Sequence, residues 1–150
     1  MNYELHATYQ RSKVAEISDG HYNGQKWNTG CVSTKQDDGT VDLFLFVTLD
    51  KSSGWFAAEH QYADGFRGQS KIVWSSQNRT SQKSETIRRI TGKTRKECRV
   101  HLFVRAEKKI ASVTQPFTYC GRVRSQSMTG NKPVKVTFAL DWSAPAELAS

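Results

Sequence analysis

No apolar run in the 150 residues approaches the length needed to cross a bilayer. The N-terminal stretch MNYELHATYQ lacks the apolar core of a secretory signal. Membrane and exported proteins are therefore not expected. Three cysteines, Cys31, Cys98 and Cys120, make an odd number with no CxxC spacing. That argues against a disulfide scaffold and for a reduced, cytoplasmic protein with buried thiols. The four histidines (His6, His21, His60, His101) have no paired zinc-ligand spacing. Gly20, Gly24 and Gly30 are scattered over a polar loop and make no phosphate-binding loop. Neither the Ser-rich stretches nor Cys98 has a His–Asp partner in local sequence. The expectation is a non-catalytic chain without metal or cofactor. Asp64 ahead of Gln69-Ser70-Lys71 echoes a metal-dependent nuclease pattern of carboxylate and then Gln-x-Lys, and keeps a small nuclease as a second alternative.

Acid is scarce in one place. Phe66 to Arg124 holds 15 Lys and Arg against Glu85, Glu97 and Glu107, although the whole chain carries only +8. Such asymmetry fits a side that faces a polyanion, with nucleic acid the commonest case; the plainer reading is a solvated basic loop. Aromatic content of 11% argues against disorder. The length suits a single domain over 1–150, with a core at about 5–140 and a frayed tail from 142. Its edges fit either an excised domain or a small complete protein.

Leu5–Ile17 is loosely helical, with Ser12 or Thr8 as N-cap and Asp19-Gly20 as the stop. Gly20–Gly30 reads as a polar loop and Cys31–Lys35 as a short strand. Val41–Leu49, VDLFLFVTL, is a strand apolar enough to be buried on both faces. Trp55–Asp64 is either a turn of helix or an extended lid. Lys71–Ser76 is a strand, and a short helix ending at Gly92 falls within Thr80–Lys96.

Arg99–Arg105 alternates, with Val100, Leu102 and Val104 on one face and Arg99, His101, Phe103 and Arg105 on the other. Phe117–Val123 is a strand interrupted at Cys120-Gly121, by either a bulge or a close backbone approach. Ser125–Lys132 reads as a polar turn and Pro133–Leu140 as the final strand. No βαβ alternation appears, so the expected class is α+β, mostly β. The expected architecture is a curled antiparallel sheet, barrel-like or sandwich, with one or two short helices.

Six blocks occur in a telling order: LHATYQRSKV (from Leu5), VDLFLFVTLDKS (from Val41), WSSQNRTS (from Trp74), HLFVR (from His101), FTYCG (from Phe117) and KPVKVTFAL (from Lys132). Together, from about Leu5 to Leu140, they resemble a bacterial domain family of unknown function. Its members lie at the C-terminus of superfamily II helicase proteins that also carry a phospholipase-D-type nuclease domain. Other members look like partners of HNH nucleases. The family usually reads Tyr-x-Asp-Tyr where this chain has Tyr62-Ala63-Asp64-Gly65. It reads Gln-Ser-Gln after the Trp, where this chain has Ser75-Ser76-Gln77. The resemblance implies restriction or antiviral defence, with an accessory module beside a helicase or nuclease in the same or a partner chain.

Trp74 is either core or one face of a concavity shared with Tyr62, in which an extruded or modified base stacks. In the second case Asp64, Gln77 and Asn78 supply donors and acceptors to the base edge, and Arg79 holds a phosphate. Arg88, Arg89, Lys93, Arg95, Lys96, Arg105, Arg122 and Arg124 are placed to track phosphates, with Arg105 and Arg122 at strand ends on a barrel rim. Tyr9, Arg11 and Trp27 are second-rank candidates that equally suit a covering for the sheet. The leading expectation is a recognition module for duplex DNA that inspects a base or a DNA modification. The alternative is a protein-docking module that uses a patch around Trp55-Phe56.

Overall fold

The structure, a computed structural model, describes residues 3–49, 65–94 and 97–149. Its centre is a pair of parallel strands, β3 (Val41–Thr48) and β6 (Cys98–Arg105), in register from Val41↔Cys98 to Thr48↔Arg105. Alternation puts Leu43, Leu45, Val47, Val100, Leu102 and Val104 on one face. Asp42, Phe44, Phe46 and Thr48 share the other with Arg99, His101, Phe103 and Arg105. Both faces are covered, which is why β3 is apolar almost throughout.

Around this pair the sheet runs β2 (Cys31–Lys35), β3, β6, β9 (Phe117–Thr129), β10 (Lys135–Leu140), β5 (Lys71–Ser75) and β4 (Gly65–Phe66). β1 (Thr8–Tyr9) adds to β9. Apart from β3–β6 the pairings are antiparallel. The small separate hairpin of β7 (Lys109–Ile110) and β8 (Val113–Thr114) lies between β6 and β9 in sequence. The sheet curls into a half-barrel. β2 and β5 lie far apart in strand order, yet Cys31 and Trp74 line one cavity. The fold is α+β, dominated by this curled, mostly antiparallel sheet.

One core lies on the Leu45 face, with Ile72, Trp74, Val136 and Phe138, closed by Ile87 and Ile90 of α3 (Glu85–Ile90). The second lies on the Phe44 face, under Val14 and Ala15 of α1 (Arg11–Asp19) and Trp27 of α2 (Gly24–Trp27). Trp27 is fully buried, so it covers the sheet. The three cysteines are free thiols.

Several elements differ from the sequence expectation. The first helix begins at Arg11, because Thr8 and Tyr9, β-branched and aromatic, pair with β9 instead. Its N-cap is Gln10, not Ser12 or Thr8, and no side chain caps it. Gly20 closes it at φ 81°, as the Asp19-Gly20 stop predicts. Gly20–Gly30 is not all loop, since α2 forms inside it with Asn23 capping the Gln25 N–H. Ser125–Lys132 is not a turn over its length. β9 continues to Thr129, and its polar side chains suit a strand end that extends beyond the core. Of the two alternatives at Cys120-Gly121 the structure shows the bulge: Phe103 faces Tyr119 while His101 faces Arg122, so three residue steps on β9 span two on β6. After β10, Gln69 and Ala144 exchange two hydrogen bonds ahead of α4 (Ala146–Ala149). Among the described residues no helix is long and apolar enough to cross a membrane.

Candidate functional site

Strand β5 turns Ile72 and Trp74 inward, and Trp74 sets its ring edge-on to Phe138 at 6.4 Å. Trp74 is 6% exposed. It is core, and it also lines a cavity of about 300 Å³ with Cys31, Ser76, Gln77, Thr80 and Thr86. This cavity occupies the seam where the curled sheet brings β2 toward β5. Two hydrogen bonds fix its floor: the Ser76 hydroxyl donates to the Gln77 carbonyl (3.1 Å) and accepts from the Val134 N–H (2.9 Å). The Gln77 carbonyl also accepts from the Thr80 N–H at 3.0 Å, so residues 77–80 form a tight turn. Gln77, Asn78 and Arg79 are exposed on it, and their side chains make no hydrogen bond or ion pair among the described residues. Tyr62, Asp64 and Arg95 lie outside the described residues, as do Lys96 and the Trp55-Phe56 patch.

The other basic candidates divide. Arg88 and Lys93 are exposed at the end of α3, without a carboxylate partner among the described residues. Arg89 is tied to Glu85 one turn earlier in α3, and Arg124 to Asp141 at 3.0 Å. Arg122 is half-buried, and its Nε is buried with no hydrogen-bond partner among the described residues. Arg105 does not stand on an open rim. It is 8% exposed and folds beneath the surface on the Phe44 face. Tyr9 and Arg11 lie on that same face, Tyr9 against Tyr3 and Phe103 and Arg11 against Phe46 and Phe117. The structure therefore groups Trp74 and Gln77 in one cavity, next to the Asn78–Arg79 turn, and sets Tyr9, Arg11 and Arg105 on the opposite side of the sheet.

A further polar cluster escaped the sequence reading. The Asp42 carboxylate is fully buried at the start of β3, and Arg99 grips it with two bonds, Nε to Oδ1 (2.9 Å) and Nη2 to Oδ2 (3.1 Å). His101 Nε2 lies 2.9 Å from Asp42 Oδ1, and its Nδ1 shares a 2.9 Å hydrogen bond with the Tyr119 hydroxyl. Burial alone pushes the Asp42 carboxyl up, but the bonds and charges of His101 and Arg99 outweigh it and hold the group below its usual range. Burial pushes the Tyr119 hydroxyl up to about 12, so it keeps its proton. These residues open on a cavity of about 580 Å³ that Tyr3, Gln36 and Arg122 also line. The signal in sequence was the lone Asp inside VDLFLFVTL: a carboxylate in a strand buried on both faces requires a cationic partner. Among the described residues no group of three or more His, Cys, Asp or Glu stands close enough to hold a metal ion.

The chain belongs to the family described as Domain of unknown function (DUF3427), which it matches over residues 3–150. No curated protein matches its sequence. Among solved structures it is similar to the "DNA recognition domain of the cytosine modification-dependent restriction endonuclease LpnPI". The TM-score is 0.55 at 12% identity, covering 91% of this chain and 72% of that one. At that identity the likeness is one of fold.

Proposed function

We propose that this chain is the DNA-recognition module of a bacterial restriction or defence enzyme. It holds duplex DNA on its basic surface and inspects one base, or a modification of it, in the Trp74 cavity. It works as a single cytoplasmic domain that delivers a helicase or nuclease, in the same or a partner chain, to its target. The observation that carries this reading is the seam cavity itself. Trp74 and the exposed Gln77 both line it, and the Gln77 side chain has no hydrogen-bond partner among the described residues. Its size sits at the low end for ligand sites, which suits one ring system rather than a long ligand. An indole offers a stacking face to any base, and an amide offers both a donor and an acceptor to the base edge. Arg79 follows two residues later, and Arg88 and Lys93 flank α3, whose Thr86 lines the same cavity. Family membership and a fold like that of a DNA-recognition domain support the same reading.

The test is binding of the chain to matched duplexes with unmodified, methylated, hydroxymethylated or phosphorothioate groups, each at two salt concentrations. The reading expects one duplex to be preferred at both concentrations, with overall affinity falling steeply as salt rises. Equal binding to all four, or none to any, overturns it.

A further inference from the structure

The C-terminal ends of β3 and β6 carry a cationic arrangement that base reading does not use. Thr48 and Arg105 are neighbours in the parallel register. The Arg105 guanidinium carbon lies 4.2 Å from the centre of the Phe117 ring. That of Arg11 lies 5.0 Å from the same centre and 4.6 Å from the centre of Phe46. Among the described residues every hydrogen bond from these two side chains ends on a neutral oxygen. Arg105 donates from Nε to Thr48 Oγ1 (2.9 Å) and from Nη1 to the Gln115 carbonyl (3.1 Å). Arg11 donates from Nη1 to the carbonyls of Trp27 and Thr29, at 2.9 and 2.8 Å. Among the described residues neither has a carboxylate within ion-pair distance.

Two arginines converging on one ring without a counter-charge among the described residues is a costly arrangement. The neutral oxygens and the aromatic rings offset part of the cost of taking these cations out of water, but they leave the two like charges to repel each other. Both guanidinium pKa values are lowered accordingly, Arg11 by burial and then by Arg105, and Arg105 by burial. The described residues that line the site add positive potential. Arg11, Arg105 and exposed Lys108 line a cavity of about 580 Å³ that is distinct from the one at Asp42. So do Gln10 and Ser12, at the N-terminus of α1, where no side chain caps the helix and no acid occupies the first turn. Three cations and a helix N-terminus suit more than one negative charge, which favours a phosphate over a carboxylate. The planar guanidinium fork matches its oxygens.

We infer that Arg11 and Arg105 form a phosphate-binding site on the helix-covered face of the sheet, separate from the Trp74 cavity. The phosphate belongs either to a small phosphate ester or to a nucleic-acid backbone, and the site stands whether or not Trp74 reads a base.

The full chain is titrated with inorganic phosphate and pyrophosphate at constant ionic strength in chloride, by calorimetry and by thermal unfolding. Wild type is expected to bind pyrophosphate and to unfold several degrees higher with it than in chloride alone. Arg11→Gln and Lys108→Gln, at positions that are not fully buried, are expected to weaken pyrophosphate at least tenfold and threefold. Arg105→Met is expected to abolish the response while unfolding in chloride no lower than wild type. A merely structural Arg105 would instead lower unfolding equally with and without pyrophosphate, and that result overturns the inference. So does a wild type indifferent to both anions, or an Arg11→Gln variant that binds pyrophosphate like wild type. Duplex affinity at fixed salt separates the sources. A parallel loss in Arg11→Gln assigns the site to backbone phosphate, and unchanged duplex binding assigns it to a small phosphate ester.

Discussion

His101 Nε2 and Asp42 Oδ1 lie 2.9 Å apart at the heads of two parallel strands that are distant in sequence. With Arg99 on the second side of the carboxylate and Tyr119 on the far nitrogen of the ring, the pair forms one connected polar network inside the sheet. Replacing Asp42 by Asn leaves Arg99 and His101 facing a neutral group. Breaking a buried pair from one side costs about 3–5 kcal/mol. Urea unfolding of Asp42→Asn is expected to show a loss of that order at neutral pH, and a loss under about 1 kcal/mol would contradict the network's role.

The same network fixes a pH dependence. Folding lowers the Asp42 pKa, so its contribution is fully present above the unfolded value of about 4 and is lost as pH falls through the folded value. The stability gap between wild type and Asp42→Asn should narrow below about pH 4. Chemical denaturation at pH 6 and pH 3 checks the sign, and a gap that widens in acid would contradict it.

Gly121 at the bulge of β9 sits at φ 86°. A Cβ there would lie 2.7 Å from Trp142 Cε3 and 3.1 Å from Leu5 Cδ1. Gly121→Ala combines a left-handed backbone penalty of about 1–2 kcal/mol with a steric clash. Trp142 is half-exposed and removable, so a double-mutant cycle with Trp142→Ala separates the two. The double variant is expected to recover the clash and keep the backbone penalty. Strictly additive losses would show that Trp142 already moves aside.

What the sequence disclosed followed its periodicity. The alternation of Arg99–Arg105 assigns each side chain to a face, and the apolar run of Val41–Leu49 announces a strand covered on both sides. Periodicity names a face but not the neighbour across it. Asp42 and Arg99 are 57 positions apart, and only the parallel β3–β6 register brings them together. Arg105, at the last position of its strand, reads as a rim residue, yet the Phe117 ring and the Gln115 carbonyl draw it under the surface. The polar half of β9 is invisible to hydrophobic pattern because its pairing with β10 runs on past the core. The Trp74 run was legible as a place, since a strand ending in consecutive polar side chains marks the edge of a sheet.

The exposed and the paired arginines should behave differently on DNA. Arg79, Arg88 and Lys93 have no carboxylate partner among the described residues, whereas Arg124 is engaged with Asp141. If the first three meet phosphates, changing each to Gln lowers the slope of log affinity against log salt by about 1. Arg124→Gln should leave the slope close to wild type. Anisotropy titrations across a salt series measure this, and unchanged slopes for all of them would assign these cations to solubility alone.

Trp74 and Gln77 separate stability from reading. Trp74 is core, so Trp74→Ala costs about 3–5 kcal/mol and confounds any binding result. Trp74→Phe keeps a stacking ring and most of the packing against Phe138. Gln77 is exposed at the cavity edge, and its loss should leave stability within about 0.5 kcal/mol of wild type. Removing its amide leaves a base edge without its partner, worth about 1–3 kcal/mol between the preferred duplex and its matched control. Gln77→Ala is thus expected to bind the control duplex as before and to lose about fivefold or more on the preferred one. Trp74→Phe should retain the preference with weakened affinity for both duplexes. A Gln77→Ala variant that keeps the full preference would move base reading away from this cavity, whatever the backbone contacts do.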